Sequence, residues 1–532
     1  MIHITNIPSE EDVSTHFDIT LNEKKAAAMY IRVSAIPFNR DWPGHQRPIS
    51  QSELASMLSF SADEAVAVRV KPKKAFKKAV VRPLSEKITP FVSDDGSIDF
   101  TIVHEGQYVL ELDGTAEALH IFANPIKDFG ISENDENVLY YGPGLHRVGQ
   151  VELSDNTTVY IDRDAIVYGS FYAIDAENIR ILGNGVMDGG WEEREKHNYI
   201  FPYDFSRVPE HMWNSSGARH VFSVKPDASL LPKREGEYVP GTGTSVYAGK
   251  EHFKKYLEGM SILKAGLHFY KCRNVAFDGF IVNGASGLSN TMVGCENVSF
   301  NNVKVIGMWK HNNDGIDFYN CRNCIVKNCF VRAFDDVICV KGQTGWDTEN
   351  AENILVENCV VWCDWARTLE VGVDTVATEI KNITFRDCDC LHHSMTILHM
   401  GNADRAKIQN VTYEDIRVEY SVHDAKSLYQ HNDDEEFVWQ RNIATLFSCD
   451  ISGPNVWSND GIAGTITGVT VRNIQVFTED DMEFPQMRAL GLDSEHLCKN
   501  VTIEDVYLNG KKLSAKELNV QTNEFVENLI VR

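Results

Sequence analysis

Two acidic clusters stand one structural repeat apart in this chain: Asn313-Asp314-Gly315-Ile316-Asp317, then Phe334-Asp335-Asp336-Val337-Ile338. Carboxylates at equivalent points of neighbouring β-repeats stack at a spacing of about 4.8 Å. Like charges that close raise at least one pKa, and a raised carboxyl beside ionised ones equips a site for acid/base hydrolysis. A solvated surface would scatter such groups. Here the acids concentrate over two repeats with bases beside them.

The repeat that positions them is readable directly. An Asn followed by alternating apolar residues recurs at Asn156, Asn178, Asn274, Asn297, Asn323, Asn353, Asn382, Asn410 and Asn500, with Gly468 replacing it once. Spacings from Asn274 run 23, 26, 30, 29 and 28. A period in this range marks a solenoid, and strand-type alternation makes it a β-solenoid. Each coil buries its inward Val, Ile and Phe only against the coils above and below, so equivalent residues form ladders. The expected fold is all-β: a right-handed parallel β-helix over residues 131–532, preceded by an N-terminal β-sandwich over 1–130.

Registering the coils on the inward residues Ile316, Ile338, Leu369 and Leu398 gives a common frame. Two residues earlier stand Asp314, Asp336, Arg367 and Thr396. One residue later stand Asp317, Cys339, Glu370 and His399, a column that extends back to Thr291 and His268. Alternate side chains of a strand point to opposite faces, so both columns are expected on one exterior face, with Asp335 beside Asp336 and Lys341 ending its strand. Asp314, Asp335 and Asp336 are the expected catalytic set. Glu370, Arg367, His399, Lys341, Asp317 and His268 are the expected substrate contacts.

Composition narrows the partners. A formal net charge of −25 over 532 residues argues against nucleic acid or an anionic membrane. No stretch approaches 18 apolar residues, and the start Met1-Ile2-His3-Ile4-Thr5-Asn6 lacks a basic and an apolar signal region, so a cytoplasmic protein is expected. Cys272, Cys295, Cys321 and Cys498 each stand two before a repeat Asn, and Cys329, Cys359 and Cys388 six after one. Repeat-locked cysteines read as buried thiol ladders in a reducing compartment. Cys321 and Cys324 alone make a weak zinc or redox signal. No metal or cofactor is expected, and a homo-oligomer stays open.

The first 125 or so residues hold short alternating runs, Met29–Val33, Ala65–Val70, Ile98–Val103 and Tyr108–Leu112, split by turn residues as in a sandwich. The loop Phe38–Pro48, aromatic and basic, reads as a domain-docking segment, with substrate contact as the alternative. Two insertions break the period: one between Asn178 and Asn274, with Trp191, Arg194, His197, Tyr199, Tyr203, Trp213, Arg219 and His220, and one after Asn410, with His423, Tyr429, His431 and Trp439. Insertions on a solenoid gather as loops and commonly wall a groove. Such aromatics either stack on sugar rings or form the loops' own small cores.

Asn313–Asp317 followed by Asp335–Lys341 resembles the N-T-D-G-I-D and D-D-C-I-x-I-K motifs of the polygalacturonase family of glycoside hydrolases, family 28, and Gly183–Gly190 resembles its G-x-G-x-I-D-G. The sandwich ahead of the solenoid also resembles dextranase-type enzymes of family 49. The resemblance spans roughly Gly142 to Val418. It implies an inverting hydrolase acting without a metal, with Asp335 as general acid and Asp314 and Asp336 activating water. Two family motifs are missing. Trp365–Gly372 stands where G-H-G is expected, and His392-His393 with Asp404-Arg405 replaces the uronate-holding R-I-K. Glu370 then suits a neutral sugar's hydroxyls, while Arg367 and Lys341 could hold one carboxylate. A cytoplasmic enzyme would meet imported oligosaccharides. Two rivals stay open: a polysaccharide lyase using Ca²⁺ with Arg367 or Lys341 as base, and a non-catalytic glycan-binding β-helix.

Overall fold

The computed structural model describes all residues except 10, 12, 36–51, 190–265, 286, 311, 343–349, 427–438 and 454–460. The Phe38–Pro48 segment, the eight residues picked from the first insertion, and Tyr429 and His431 of the second lie outside the described residues.

Among the described residues from Val138 to Val531 the chain winds as a right-handed parallel β-helix of 30 strands. One coil shows the plan: strands Ile316–Tyr319, Arg322–Lys327 and Phe330–Ala333 each pair in parallel with Ile338–Gly342, Ala351–Glu357 and Val360–Cys363 of the next. Inward Ile316, Phe318, Ile338, Val340, Leu369, Val371, Leu398 and Met400 are fully buried in one continuous core. No helix among the described residues is long and apolar enough to cross a membrane.

The repeat Asn does its work in the backbone. All nine sit at φ between 54° and 61°, the left-handed region that Asn tolerates better than other side chains. Gly468, which needs no such tolerance, takes φ 73° in the same role. Along much of the stack the Asn Nδ2 donates to the Asn Oδ1 of the coil before, as at Asn178 (3.0 Å), Asn274 (3.1 Å), Asn297 (3.0 Å), Asn353 (3.0 Å) and Asn382 (3.0 Å), while Asn323 turns to Glu296 and Asn500 to Thr467. Replacing Asn353 by Ala should therefore cost about 1–2 kcal/mol in a urea denaturation, through the left-handed strain and the lost rung. Asn353→Gly should cost less. Equal stability of Asn353→Ala and wild type would refute this account of the ladder.

Residues 2–124 form two further sheets. One has five antiparallel strands and the other six, including the parallel pair of Ser52–Ala62 with Leu119–Asn124. The four strand runs read from the sequence appear as Met29–Ser34, Val66–Pro72, Ile98–Ile102 and Gly106–Leu112. Between the sheets lies a core built on Ile19, Leu58, Val68, Phe100, Leu110 and Ile121. A further cluster packs Met29, Ile31, Met57, Val109 and Phe122 of this part against Ile166, Ile281, Phe330, Trp362 and Leu391 of the solenoid. Buried charge pins the same contact: Arg82 pairs with Glu111 (2.8 Å) and with Glu419, and His392 bridges Glu111 and Asp424 at 2.6 Å each.

Candidate active site

The acids sit in turns, and the solenoid fixes those turns from both sides. Asp314 precedes strand Ile316–Tyr319, and Asp335 and Asp336 precede Ile338–Gly342. Gly315 N donates to Asp336 O (2.8 Å), Asp335 N to Asn313 O (3.1 Å) and Val337 N to Arg367 O (2.9 Å). One coil earlier, the Ser289 hydroxyl reaches Asp314 O at 2.6 Å, and Asn290 Nδ2 reaches Gly315 O at 2.7 Å. Asn313 ties the turn inward, donating to Gly287 O at 2.6 Å. A Cβ at Gly315 would stand 2.2 Å from Val337 O, so no other residue fits between the coils there.

The register read from the sequence is the register observed: Asp317 pairs with Cys339, Cys339 with Glu370 and Glu370 with His399, while Thr291 and His268 continue the column backwards. Its expected exterior placement needs correction. The column points away from the apolar core, yet Asp317, Glu370, Thr291 and His268 are all 0 % exposed. The outward groups are covered instead of meeting water.

Lys341 organises the cluster. Its Nζ lies 3.0 Å from Asp314 Oδ2, 2.9 Å from Asp336 Oδ2 and 3.5 Å from Asp317 Oδ1, above the Tyr319 ring. Arg367, 22 % exposed, stands 3.5 Å from Asp336 Oδ1 and 3.6 Å from Glu370 Oε1. His399 Nδ1 is 2.9 Å from that same Glu370 oxygen, and the Cys339 thiol donates to Asp317 at 2.7 Å. Oxygens of Asp314 and Asp336 and the sulfur of Cys339 lie within 4.8 Å of one another, with the Lys341 ammonium within reach of both carboxylates. His268 stays two coils from Asp317 in the same column.

Five carboxyls thus share two cations, and burial decides which keep their protons. Burial pushes Asp335 up to about 7, and the neighbouring Asp336 adds to the rise. Burial works on Asp336 too, but Lys341 and Arg367 outweigh it and hold that carboxyl below the ordinary range. Asp314, Asp317 and Glu370 are raised by burial despite Lys341. Burial lowers His399 to about 3, so its ring is neutral. The cluster therefore pairs one proton-bearing acid, Asp335, with an ionised neighbour, Asp336.

The sequence reading passed over four contributors. Ser289 and Asn290 clamp the Asp314 turn, Cys339 binds Asp317, and Asp374 is raised to about 7 by burial beside Lys341. Asp374 shares the strand parity of Glu370, and that was its available signal. Of the pair that stands where the uronate-holding motif is missing, His392 joins the sandwich contact and His393 bonds Cys390 O at 3.1 Å. Gly183, Gly185 and Gly189 of the glycine-rich motif lie against neighbouring coils, and its Asp188 accepts from Asn283 at 2.7 Å. Of the second insertion, His423 packs over Gly114 and Trp439 is half exposed.

Comparison with known proteins agrees with this layout. Residues 233–419, which hold both aspartate motifs, match the model of glycosyl hydrolases family 28. Dex49A from Penicillium minioluteum shares the fold at a TM-score of 0.60 and 12% identity, over 99% of this chain and 96% of that one, the N-terminal sheets included. An exopolygalacturonase from Thermotoga maritima aligns at TM-score 0.41 and 17% identity over 74% of this chain and 84% of its own. A family 28 exopolygalacturonase from Yersinia enterocolitica aligns at 0.43 and 13% over 88% and 96%. No curated protein matches the chain. The family 28 match over residues 233–419 bears out the resemblance read from the aspartate motifs, and the chain shares with Dex49A the fold of N-terminal sheets ahead of a parallel β-helix.

Proposed function

We propose that the chain hydrolyses the O-glycosidic bonds of an α-linked oligosaccharide, a pectin-type galacturonide or a related glycan, with inversion at the anomeric carbon. The observation that carries this reading is the split of the aspartate pair: Asp335 holds its proton up to about 7 beside an Asp336 that Lys341 and Arg367 keep ionised. Asp335 gives its proton to the glycosidic oxygen as the bond to C1 breaks. Water attacks C1 from the opposite face, and its proton passes to Asp336. Asp314, fixed on Lys341, orients that water. Solvent exchange then returns Asp335 and Asp336 to their starting states.

The partly exposed Arg367 supports a uronate or hydroxyl-rich ring beside the acids. Lys341 fills the position that a cation would take in a Ca²⁺ lyase. All twelve cysteines are buried and unpaired, which supports a reducing, cytoplasmic setting and imported oligosaccharides as substrates. Reducing-end release from a panel of galacturonides, galactosides and glucans tests the proposal. Turnover unaffected by EDTA is the expected result. An EDTA-sensitive activity with an ultraviolet-absorbing unsaturated product would establish the lyase instead. Ligand-induced stabilisation without turnover would mean a binding module.

A further inference from the structure

We propose that Glu370 and Asp336 share a single proton, and that Glu370 is thereby the positioning residue for the water-activating carboxylate rather than a contact for a sugar hydroxyl. Glu370 is 0 % exposed and Asp336 4 %. Glu370 spends Oε1 on His399 Nδ1 at 2.9 Å and on the edge of Arg367 at 3.6 Å. Asp336 spends Oδ2 on Lys341 at 2.9 Å. That leaves two buried oxygens, Glu370 Oε2 and Asp336 Oδ1, without a hydrogen-bond donor. Arg367 stands off the second at 3.5 Å.

Two such oxygens on adjoining coils repel if both groups are ionised, and an unpaired buried charge is costly. One proton between them removes the repulsion and satisfies both atoms. The groups facing the pair agree. Among the described residues of its own coil and the next, Lys341, Arg367 and the neutral His399 are the bases, against Asp314, Asp317, Asp335 and Asp374 as acids. Beyond His399 stand Asp450 and Arg488. The two cations cannot neutralise every carboxyl. The proton rests on Glu370, whose carboxyl burial and Asp336 raise while Asp336 is held low. Glu370 then donates to Asp336 and fixes the direction in which its remaining lone pairs face water.

The role in turnover rests on the hydrolytic reading; the shared proton does not. Two measurements separate them. The first is carbon-13 NMR of protein labelled at the glutamate side-chain carboxyl, titrated from about pH 4 to about pH 8. The Glu370 resonance, assigned by its loss in Glu370→Gln, should remain at the protonated position through neutral pH. A titration at the ordinary glutamate midpoint would overturn the proposal. The second is the pH profile of kcat/KM. Glu370→Gln keeps a donor toward Asp336, so the acid limb should stay in place with turnover within tenfold of wild type. Glu370→Ala removes the donor, so Asp336 takes protons more readily. Its acid limb should move toward neutral pH by a unit or more, with kcat falling about tenfold to a hundredfold and KM nearly unmoved. A raised KM at kept kcat in both variants would return Glu370 to sugar binding and overturn the positioning role. If wild type hydrolyses nothing, the titration still decides the shared proton, and only the functional reading falls.

Discussion

Replacing Asp335 by Asn should abolish hydrolysis, by about a thousandfold or more, and at the same time make the protein more stable above neutral pH. The first effect follows from losing the only proton donor of the pair, at the upper end of what general acid catalysis contributes. The second follows from linkage. Asp335 has a folded pKa raised to about 7, against an ordinary value of 3.8. Between those values the folded chain holds a proton that the unfolded chain has released, so stability from this group is full at acid pH and declines as pH rises through 7. Asn carries no charge at any pH and avoids the decline. Thermal denaturation at pH 5 and pH 8 should show Asp335→Asn gaining further on wild type between the two, by on the order of 2–3 kcal/mol. Equal shifts at both pH values would mean that the carboxyl is not held protonated in the fold.

Lys341→Met should give the largest loss of stability of any single change in the cluster, on the order of 3–5 kcal/mol near neutral pH. The methionine fills the volume of the stem but leaves Asp314, Asp317 and Asp336 without the ammonium that lies 2.9 to 3.5 Å from each. Uncompensated, those carboxyls must take up protons, and Asp336 ceases to be a base. Activity should therefore fall at least a hundredfold. The stability loss should shrink as the pH is lowered toward 4, because protonated carboxyls no longer need the cation. A comparison pair sharpens the reading: Lys511 and Glu517 lie 2.7 Å apart but are 71% and 43% exposed. Lys511→Met should change stability by less than about 0.5 kcal/mol. Similar costs at Lys341 and Lys511 in urea denaturation would show that Lys341 is only a surface neighbour of the acids.

What the sequence made legible follows from what repeats encode. The left-handed Asn and strand alternation are local constraints, so the ladder and its register could be read residue by residue, down to the pairing of Asp317, Cys339, Glu370 and His399. Alternation says only that a side chain points away from the core, which is why the column was expected to be exposed when it is buried. The unequal charge states of Asp335 and Asp336 depend on where Lys341 and Arg367 end up in space. The chain order of two adjacent aspartates holds no trace of that. The sandwich contact was the least legible part. Arg82 meets Glu419, and Lys304 bonds Asn124, across sequence gaps that no periodicity spans. For the same reason nothing in the His392-His393 pair signalled that His392 belongs to that contact.

The account stands or falls most directly on the stereochemistry of the first-formed product. Proton NMR of a panel substrate that the enzyme turns over, recorded before the sugar mutarotates, reads the anomeric configuration at the cleaved carbon. Inversion of an α-linkage, seen as the β-anomer appearing first, is what Asp335 as acid and Asp336 as base on opposite faces of the bond require. The α-anomer appearing first would mean a covalent intermediate on one of these carboxylates and would contradict the mechanism.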